Sequence, residues 1–175
     1  MIKDLLFTSG EGKILEGYVG ETAFCLYFRE LHPFWSYATE EDFEGGFAKI
    51  IGNKILFCLT TACGQGGIVV LWNAETKEIE HISEASYCVA AGLSSETIYT
   101  LHYVSNYVVE GHFELWKIPV GIIDADREGT KIVANLSQLD VQYNGDCSAL
   151  KLVVSKGQIR ISLNDRCFTY DALQS

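Results

Sequence analysis

The chain has 175 residues, of which 48% are hydrophobic and 21% charged, and its formal net charge is −10. This length and composition predict one folded domain over residues 1–175 and exclude a disordered chain. The excess of acids repels phosphate backbones, so we expect no direct binding to nucleic acid or to membranes. A basic protein is the partner that such a charge would attract.

The N-terminal segment carries no export signal. Its apolar stretch, Leu5–Phe7, is short, whereas a signal peptide needs about 7–15 apolar residues and a membrane helix about 20. The sequence therefore predicts a cytoplasmic protein.

Strand signals dominate the rest of the chain. Runs rich in Val, Ile, Phe, Tyr and Thr recur about every ten residues, separated by Gly, Asn, Ser or Asp, which predicts an all-β fold. In chain order the predicted strands are Phe47–Ile51, Lys54–Thr60, Ile68–Asn73, Glu78–Ile82, Ser86–Leu93, Thr97–Val104, His112–Ile118, Lys131–Leu136, Ala149–Ser155 and Gln158–Leu163.

Tight turns are predicted at Gly52-Asn53, Ser94-Ser95 and Lys156-Gly157, because Gly and Asn tolerate the positive φ that hairpin turns require. No long segment shows a sustained helical period. Glu40–Glu44 and Gly121–Gly129 are the least strand-like segments, where we expect loops or short helical turns.

Two of the strands repeat a pattern. Gly67 and Trp72 in the first are matched by Gly111 and Trp116 in the second, an offset of 44 residues at both positions, with Leu before each Trp. This stretch, over about residues 46–136, resembles WD40-type β-propeller blades, although Asn73 stands where that family has Asp. The resemblance implies four-stranded antiparallel blade-like units in a small or incomplete propeller. A β-sandwich or barrel is the alternative.

The sequence contains no recognisable catalytic motif. The four histidines (His32, His81, His102 and His112) lie in no nucleophile elbow or Cys-His signature, and strand positions explain them. His102 and His112 could approach each other across a hairpin. The glycine cluster Gly64–Gly67 has no following Lys-Ser or Lys-Thr, so it is no phosphate loop. We therefore expect no catalytic residues and no cofactor.

A metal site is not expected either. No two of the six cysteines have the two-residue gap of a zinc motif, so free thiols in a reducing compartment are expected. The acidic stretch Asp124–Gly129 resembles the start of a calcium loop, but Asn135 occupies the twelfth position, where such a loop has a Glu.

Two segments combine aromatics with acids in a way that favours protein binding. The first runs from His32 to Glu44 and the second from Tyr103 to Glu110. Buried Trp and Tyr often dominate interfaces, and neighbouring carboxylates steer a basic partner. The alternative is that the aromatics belong to the core and the acids are solvated. The candidate partner-binding residues are Trp35, Tyr37, Glu40, Glu41, Asp42, Glu44, Tyr103, Tyr107 and Glu110.

Three functional hypotheses remain. The first is a non-catalytic acidic protein-binding module, in its most specific form a bacterial immunity protein (antitoxin) that neutralises a basic toxin such as a nuclease. The second is an enzyme, or a small-molecule or glycan binder, that uses carboxylates at a propeller mouth. The third is a propeller fragment that serves as a scaffold.

Overall fold

The computed structural model describes nine stretches of the chain. These are residues 3–8, 14–19, 22–27, 43–61, 66–105, 111–121, 129–132, 134–142 and 149–172.

Within these ranges the chain forms fourteen strands and one helix. In order they are β1 (Lys3–Thr8), β2 (Ile14–Val19), β3 (Thr22–Tyr27), β4 (Phe43–Ile51), β5 (Lys54–Thr61), β6 (Gly67–Asn73), β7 (Ile79–Glu84), β8 (Cys88–Ser94), β9 (Thr97–Val104), β10 (His112–Pro119), β11 (Thr130–Ile132), α1 (Ser137–Gln142), β12 (Leu150–Ser155), β13 (Gln158–Leu163) and β14 (Arg166–Asp171).

The strands form four antiparallel sheets in which each strand pairs with its neighbours in sequence. The orders are β1-β2-β3, β4-β5-β6-β7, β11-β10-β9-β8 and β12-β13-β14. The prediction of an all-β fold with four-stranded antiparallel units is confirmed. Contacts divide the chain into two compact units, and the prediction of one domain over 1–175 stays a prediction. The first unit is Met1–Ser86 with Gly121–Arg127, and the second is Tyr87–Val120 with Glu128–Ser175.

The 44-residue sequence repeat corresponds to matching strands of the two four-stranded sheets. Trp72 lies in β6 and Trp116 in β10, and each of these is the third strand of a four-stranded meander. Trp72 lies opposite Ile55 of β5, and Trp116 opposite Thr100 of β9. Equivalent residues in the two sequence repeats therefore occupy equivalent strands of two four-stranded sheets.

The first unit is built around β6, every residue of which is buried. Its run of apolar side chains does not alternate with polar ones, as is typical of a strand covered on both faces. The hairpin from β4 to β5 turns at Gly52, whose φ of 62° lies in the left-handed region. The turn predicted there is confirmed.

The second unit has one hydrophobic cluster between its two sheets and α1. Leu101 of β9, Leu115 of β10, Ile159 and Ile161 of β13, and Leu139 of α1 are completely buried in it. Strand β12 packs against β8 at Gly92, where an added Cβ would lie 2.6 Å from the Cδ2 atom of Leu152. Glycine at this position lets the two strands approach closely.

Three predictions about local structure were wrong. Of the predicted strand Lys131–Leu136 only Lys131 and Ile132 lie in a strand, β11, residues 134–136 do not, and the helix α1 that follows was not predicted. The Asn135 side-chain oxygen accepts hydrogen bonds from the N–H and hydroxyl of Ser137, at 3.1 and 2.7 Å, which forms a turn directly before α1. A helix of six residues is too short to show a helical period. The predicted loop Glu40–Glu44 also ends early, since β4 begins at Phe43.

Strands β1, β2 and β14 were not predicted, and β3 was recognised only as strand-like. Of the predicted loop Gly121–Gly129, only the two terminal glycines lie within the described residues. None of the helical residues that the structure describes forms a helix long and apolar enough to cross a membrane.

We expect substitution of Gly67 to be costly, because an added Cβ would lie 2.6 Å from the backbone oxygen of Ala85, which cannot move independently of β7. Gly67→Ala should lower the free energy of unfolding by about 1–3 kcal/mol in chemical denaturation. Gly92→Ala is the comparison variant: its added Cβ also meets a close neighbour, in β12, but the nearest atom is the end of the flexible Leu152 side chain, so this variant should lose less stability. An equal loss in the two variants would contradict this account.

Candidate functional site

The structure describes few of the residues that the sequence predicts to bind a partner. Trp35, Tyr37, Glu40, Glu41, Asp42, Tyr107 and Glu110 lie outside the described residues. Glu44 lies in β4, where it is the extra residue of a bulge between Phe43 and Gly45, which pair with Thr61 and Thr60 of β5.

Tyr103 is half-buried and belongs to the core side of its sheet. Its ring lies 5.0 Å from the ring of Phe113 in a tilted arrangement, and it packs against the hydrophobic cluster of the second unit. The backbone of Gly111 lies under the phenol, where a Cβ would come within 2.1 Å of the hydroxyl oxygen. Position 111 must therefore be glycine for Tyr103 to keep this orientation.

The densest polar constellation among the described residues is centred on Glu114. Its carboxylate accepts hydrogen bonds from His112 Nε2 at 3.2 Å, from Trp116 Nε1 at 3.1 Å and from the Lys131 ammonium. We call these four residues the Glu114 cluster. Strand periodicity explains it, because His112, Glu114 and Trp116 alternate along β10 and Lys131 of β11 lies directly opposite Trp116.

The electrostatics of the cluster keep Glu114 ionised. Burial alone would raise the pKa of this carboxyl, but the hydrogen bonds from Lys131, His112 and Trp116 outweigh it and hold the pKa below its ordinary value. The Glu114 side chain is only 16% exposed, whereas those of His112 and Lys131 are 43% and 53% exposed. The cluster therefore turns its basic members toward solvent.

The same face continues onto β9. His102 lies directly opposite Glu114, its ring centroid is 6.2 Å from that of Trp116, and its Nε2 atom is 2.8 Å from the Thr100 hydroxyl. The hairpin does place His102 and His112 on one face, as the sequence suggested. Each histidine, however, has its own hydrogen-bond partner.

In the first unit, His81 is completely buried in β7. Its Nδ1 atom accepts a hydrogen bond from the backbone N–H of Gly121 at 3.3 Å, so Nε2 carries the proton that bonds to the Ser83 hydroxyl at 2.9 Å. Burial lowers the pKa of His81 to about 4. The neutral ring is a structural link between β7 and residue 121.

A third polar group is organised around Asn73, the residue that follows Trp72 at the end of β6. Its side-chain oxygen accepts hydrogen bonds from the N–H groups of Glu75 and Thr76, and its amide donates to Glu80 at 2.8 Å. Glu80 is also ion-paired with Lys54. These bonds form the turn between β6 and β7, so Asn73 has a structural role.

No group of three or more His, Cys, Asp or Glu residues in the described ranges is arranged to hold a metal ion. Cys58, Cys88 and Cys167 form no disulfide bond, and the first two are buried. Comparison of the sequence with protein-family models and with curated proteins finds no match.

We expect Glu114→Gln to destabilise the fold by about 1–3 kcal/mol, because it removes a charged acceptor shared by three partly desolvated donors. Glu96→Gln is the control, since Glu96 is exposed in the β8–β9 turn. The measurement is the free energy of unfolding of both variants at neutral pH. Equal stabilities would mean that the Glu114 cluster adds nothing to the fold.

The buried His81 predicts a specific pH dependence. The unfolded chain binds a proton at this group near pH 6.5, but the folded chain does so only near pH 4. The contribution of neutral His81 is therefore complete above pH 6.5 and is lost as the pH falls through that window, by about 3 kcal/mol in total.

The test compares unfolding free energies of the native chain and of His81→Gln between pH 7 and pH 4. The native chain should lose stability over this range, whereas His81→Gln should lose less. If the two curves have the same slope, His81 does not titrate as the structure requires.

Proposed function

We propose that this protein is a non-catalytic, acidic protein-binding module, in its most specific form an immunity protein that neutralises a basic toxin. The observation that carries the proposal is the net charge of −10. A field of this size accelerates association with a cationic partner and disfavours nucleic acid and anionic membranes.

The distribution of charge strengthens the argument. Residues 149–175 contain four basic residues and two acids, so residues 1–148 have nine basic residues against 21 acids and a net charge of −12. A basic partner would therefore be drawn to the part of the chain that precedes β12. The acidic segment Glu40–Glu44, which ends on the β4 bulge, lies within this part.

The state of the clustered titratable groups also supports a binding role. Glu114 accepts three hydrogen bonds, and both ring nitrogens of His81 have partners in the interior. A general base needs a free lone pair directed at a substrate. These groups form hydrogen bonds that connect strands, so the clusters that most resemble catalytic sites have a structural role.

Binding is proposed to use aromatic anchors beside the acids. Trp35 and Tyr37 precede the segment Glu40–Glu44, and Tyr107 and Glu110 lie in the connection that follows β9. Aromatic side chains supply most of the affinity of such interfaces when they are buried centrally. Carboxylates at the rim increase the association rate and the specificity for one partner.

The test is a pull-down from lysate of the native host at low salt, followed by kinetics with the purified partner. The native chain should hold one basic protein in stoichiometric amount and should inhibit that protein's activity. The association rate constant should fall at least about tenfold between low salt and about 0.5 M salt. The binding variant replaces Glu40, Glu41, Asp42 and Glu44 with Gln or Asn.

A matched control separates a local interface from overall charge. Glu75, Glu78, Glu84 and Glu96 are exposed in the described structure, and changing all four to Gln removes the same number of charges. The first variant should lose the partner, whereas the control should keep it with a modestly slower association. Equal binding by the two variants would overturn the assignment of the surface. Recovery of no basic protein, or turnover of a substrate by the chain alone, would overturn the proposal itself.

A further inference from the structure

The C-terminal sheet, β12-β13-β14, exposes one of its faces to solvent. In β12 and β13 buried residues alternate with exposed or half-buried ones, as in an antiparallel sheet with one face on the core. The first four-stranded sheet differs, because residues 55–59 of β5 and all residues of β6 are buried. The C-terminal sheet therefore has an accessible face where those two strands have none.

The register of the three strands arranges the residues of this face in three rows. Each row takes one residue from each strand, in cross-strand pairs. The rows are Lys151-Ser162-Cys167, Val153-Arg160-Thr169 and Ser155-Gln158-Asp171. All nine residues are exposed except Ser162, which is half-buried. We call these nine residues the C-terminal face.

Arg160 lies at the centre of the C-terminal face and forms no ion pair with a described residue. The ion pairs between described residues involve Lys54, His112 and Lys131 as the basic members, none of which belongs to this sheet. An Arg guanidinium binds both oxygens of a carboxylate at once, and Arg is one of the residues that most often dominate protein interfaces. The centre of the face is therefore the point where an acidic group would bind.

An exposed apolar residue lies directly beside Arg160. Val153 pairs with Arg160 across the strands and is 45% exposed. Among the described residues, Ile50 is the other large hydrophobic residue with comparable exposure, at 44%. Removing an exposed apolar side chain from water favours association. The middle row of the face thus combines an unpaired cation with an apolar contact.

We propose that the C-terminal face binds a protein segment that carries an acidic side chain next to an apolar one. The carboxylate pairs with Arg160, with Lys151 in the neighbouring row as a second cation, and the apolar side chain covers Val153. This surface is separate from the acidic segments proposed to bind a basic partner. The two proposals are therefore tested independently.

Local charge decides which kind of partner fits this face. It carries Lys151 and Arg160 against one acid, Asp171, in the corner opposite Lys151. Four basic residues against two acids give residues 149–175 a net charge of +2, whereas residues 1–148 have −12. At physiological salt, charges more than about 8 Å apart are largely screened, so the acidic remainder does not cancel an attraction at the face. Two cations are too few to hold a phosphate backbone against a net charge of −10, so an acidic protein segment fits better than a nucleic acid.

The test measures binding of a synthetic peptide to the full chain at about 0.15 M salt. The peptide repeats Glu-Leu-Gly over about twelve residues, so that glycine keeps it flexible. Backbone amide NMR shifts of the chain report both the binding site and the affinity. The largest saturable shifts should lie on the C-terminal face. Peptides with Gln in place of Glu, or Ser in place of Leu, should bind at least about tenfold more weakly.

Variants of the chain test the two halves of the contact. Arg160→Gln should weaken peptide binding at least about tenfold. Arg166→Gln is the matched control, because Arg166 is also exposed in this sheet but pairs with Leu163 on the opposite face. Val153→Ser should weaken binding, whereas Ile50→Ser, which removes the other exposed apolar side chain, should not. Far-UV circular dichroism should show all four variants folded.

Five outcomes contradict the proposal. The first three are no saturable binding, equal binding by Arg160→Gln and Arg166→Gln, and peptide-induced shifts that lie outside the C-terminal face. The fourth is tighter binding of a single-stranded DNA oligonucleotide, which would identify a phosphate ligand. The fifth is self-association of the native chain that Arg160→Gln abolishes, which would make a second copy the occupant.

Discussion

Burial of β6 on both faces is the constraint on which much of this structure depends. All seven of its residues are buried, so polar groups of the neighbouring strands cannot reach water and need partners inside the protein. His81 and Ser83 of β7 bond to each other, and Asn73 at the end of β6 bonds to the following turn and to Glu80. The hydrogen-bonded groups around His81 and Asn73 thus follow from the burial of the apolar strand β6.

The sequence predicts the strands that alternate or repeat most strongly. The turn glycines and the paired Gly and Trp positions locate the strands of both four-stranded sheets except β11, because hairpin pairing and side-chain periodicity are local properties. Strand β11 and helix α1 were misjudged because the largely apolar stretch Ile132–Leu136 fits a strand equally well. The turn before α1 is held by one hydrogen-bonding side chain, Asn135, and a single residue gives no periodic signal.

The contacts of the candidate site were also only partly predictable from the sequence. The i, i+2 spacing of His112, Glu114 and Trp116 could have predicted a shared face, and the repeat could have placed Lys131 near them. The bond between His81 and Gly121 could not have been predicted, since 40 residues separate the two partners. A count of charges does not distinguish acids that are paired within a sheet from acids that are exposed to solvent, whereas the structure does. Glu80 and Glu114 are engaged within their sheets, whereas Glu75, Glu78, Glu84 and Glu96 are exposed to solvent.

The two repeated tryptophans occupy equivalent positions in chemically different surroundings. Two residues before Trp116 is Glu114, which accepts a hydrogen bond from its indole N–H. Two residues before Trp72 is Val70, and the buried Nε1 atom of Trp72 has no acceptor among the residues that the structure describes. Lys77 instead places its ammonium group 5.1 Å from the centre of the Trp72 ring. Each compact unit therefore contains its own fluorophore, one in an apolar strand and one beside a carboxylate. With Trp35 replaced, emission from the two would distinguish whether the units melt together or one after the other.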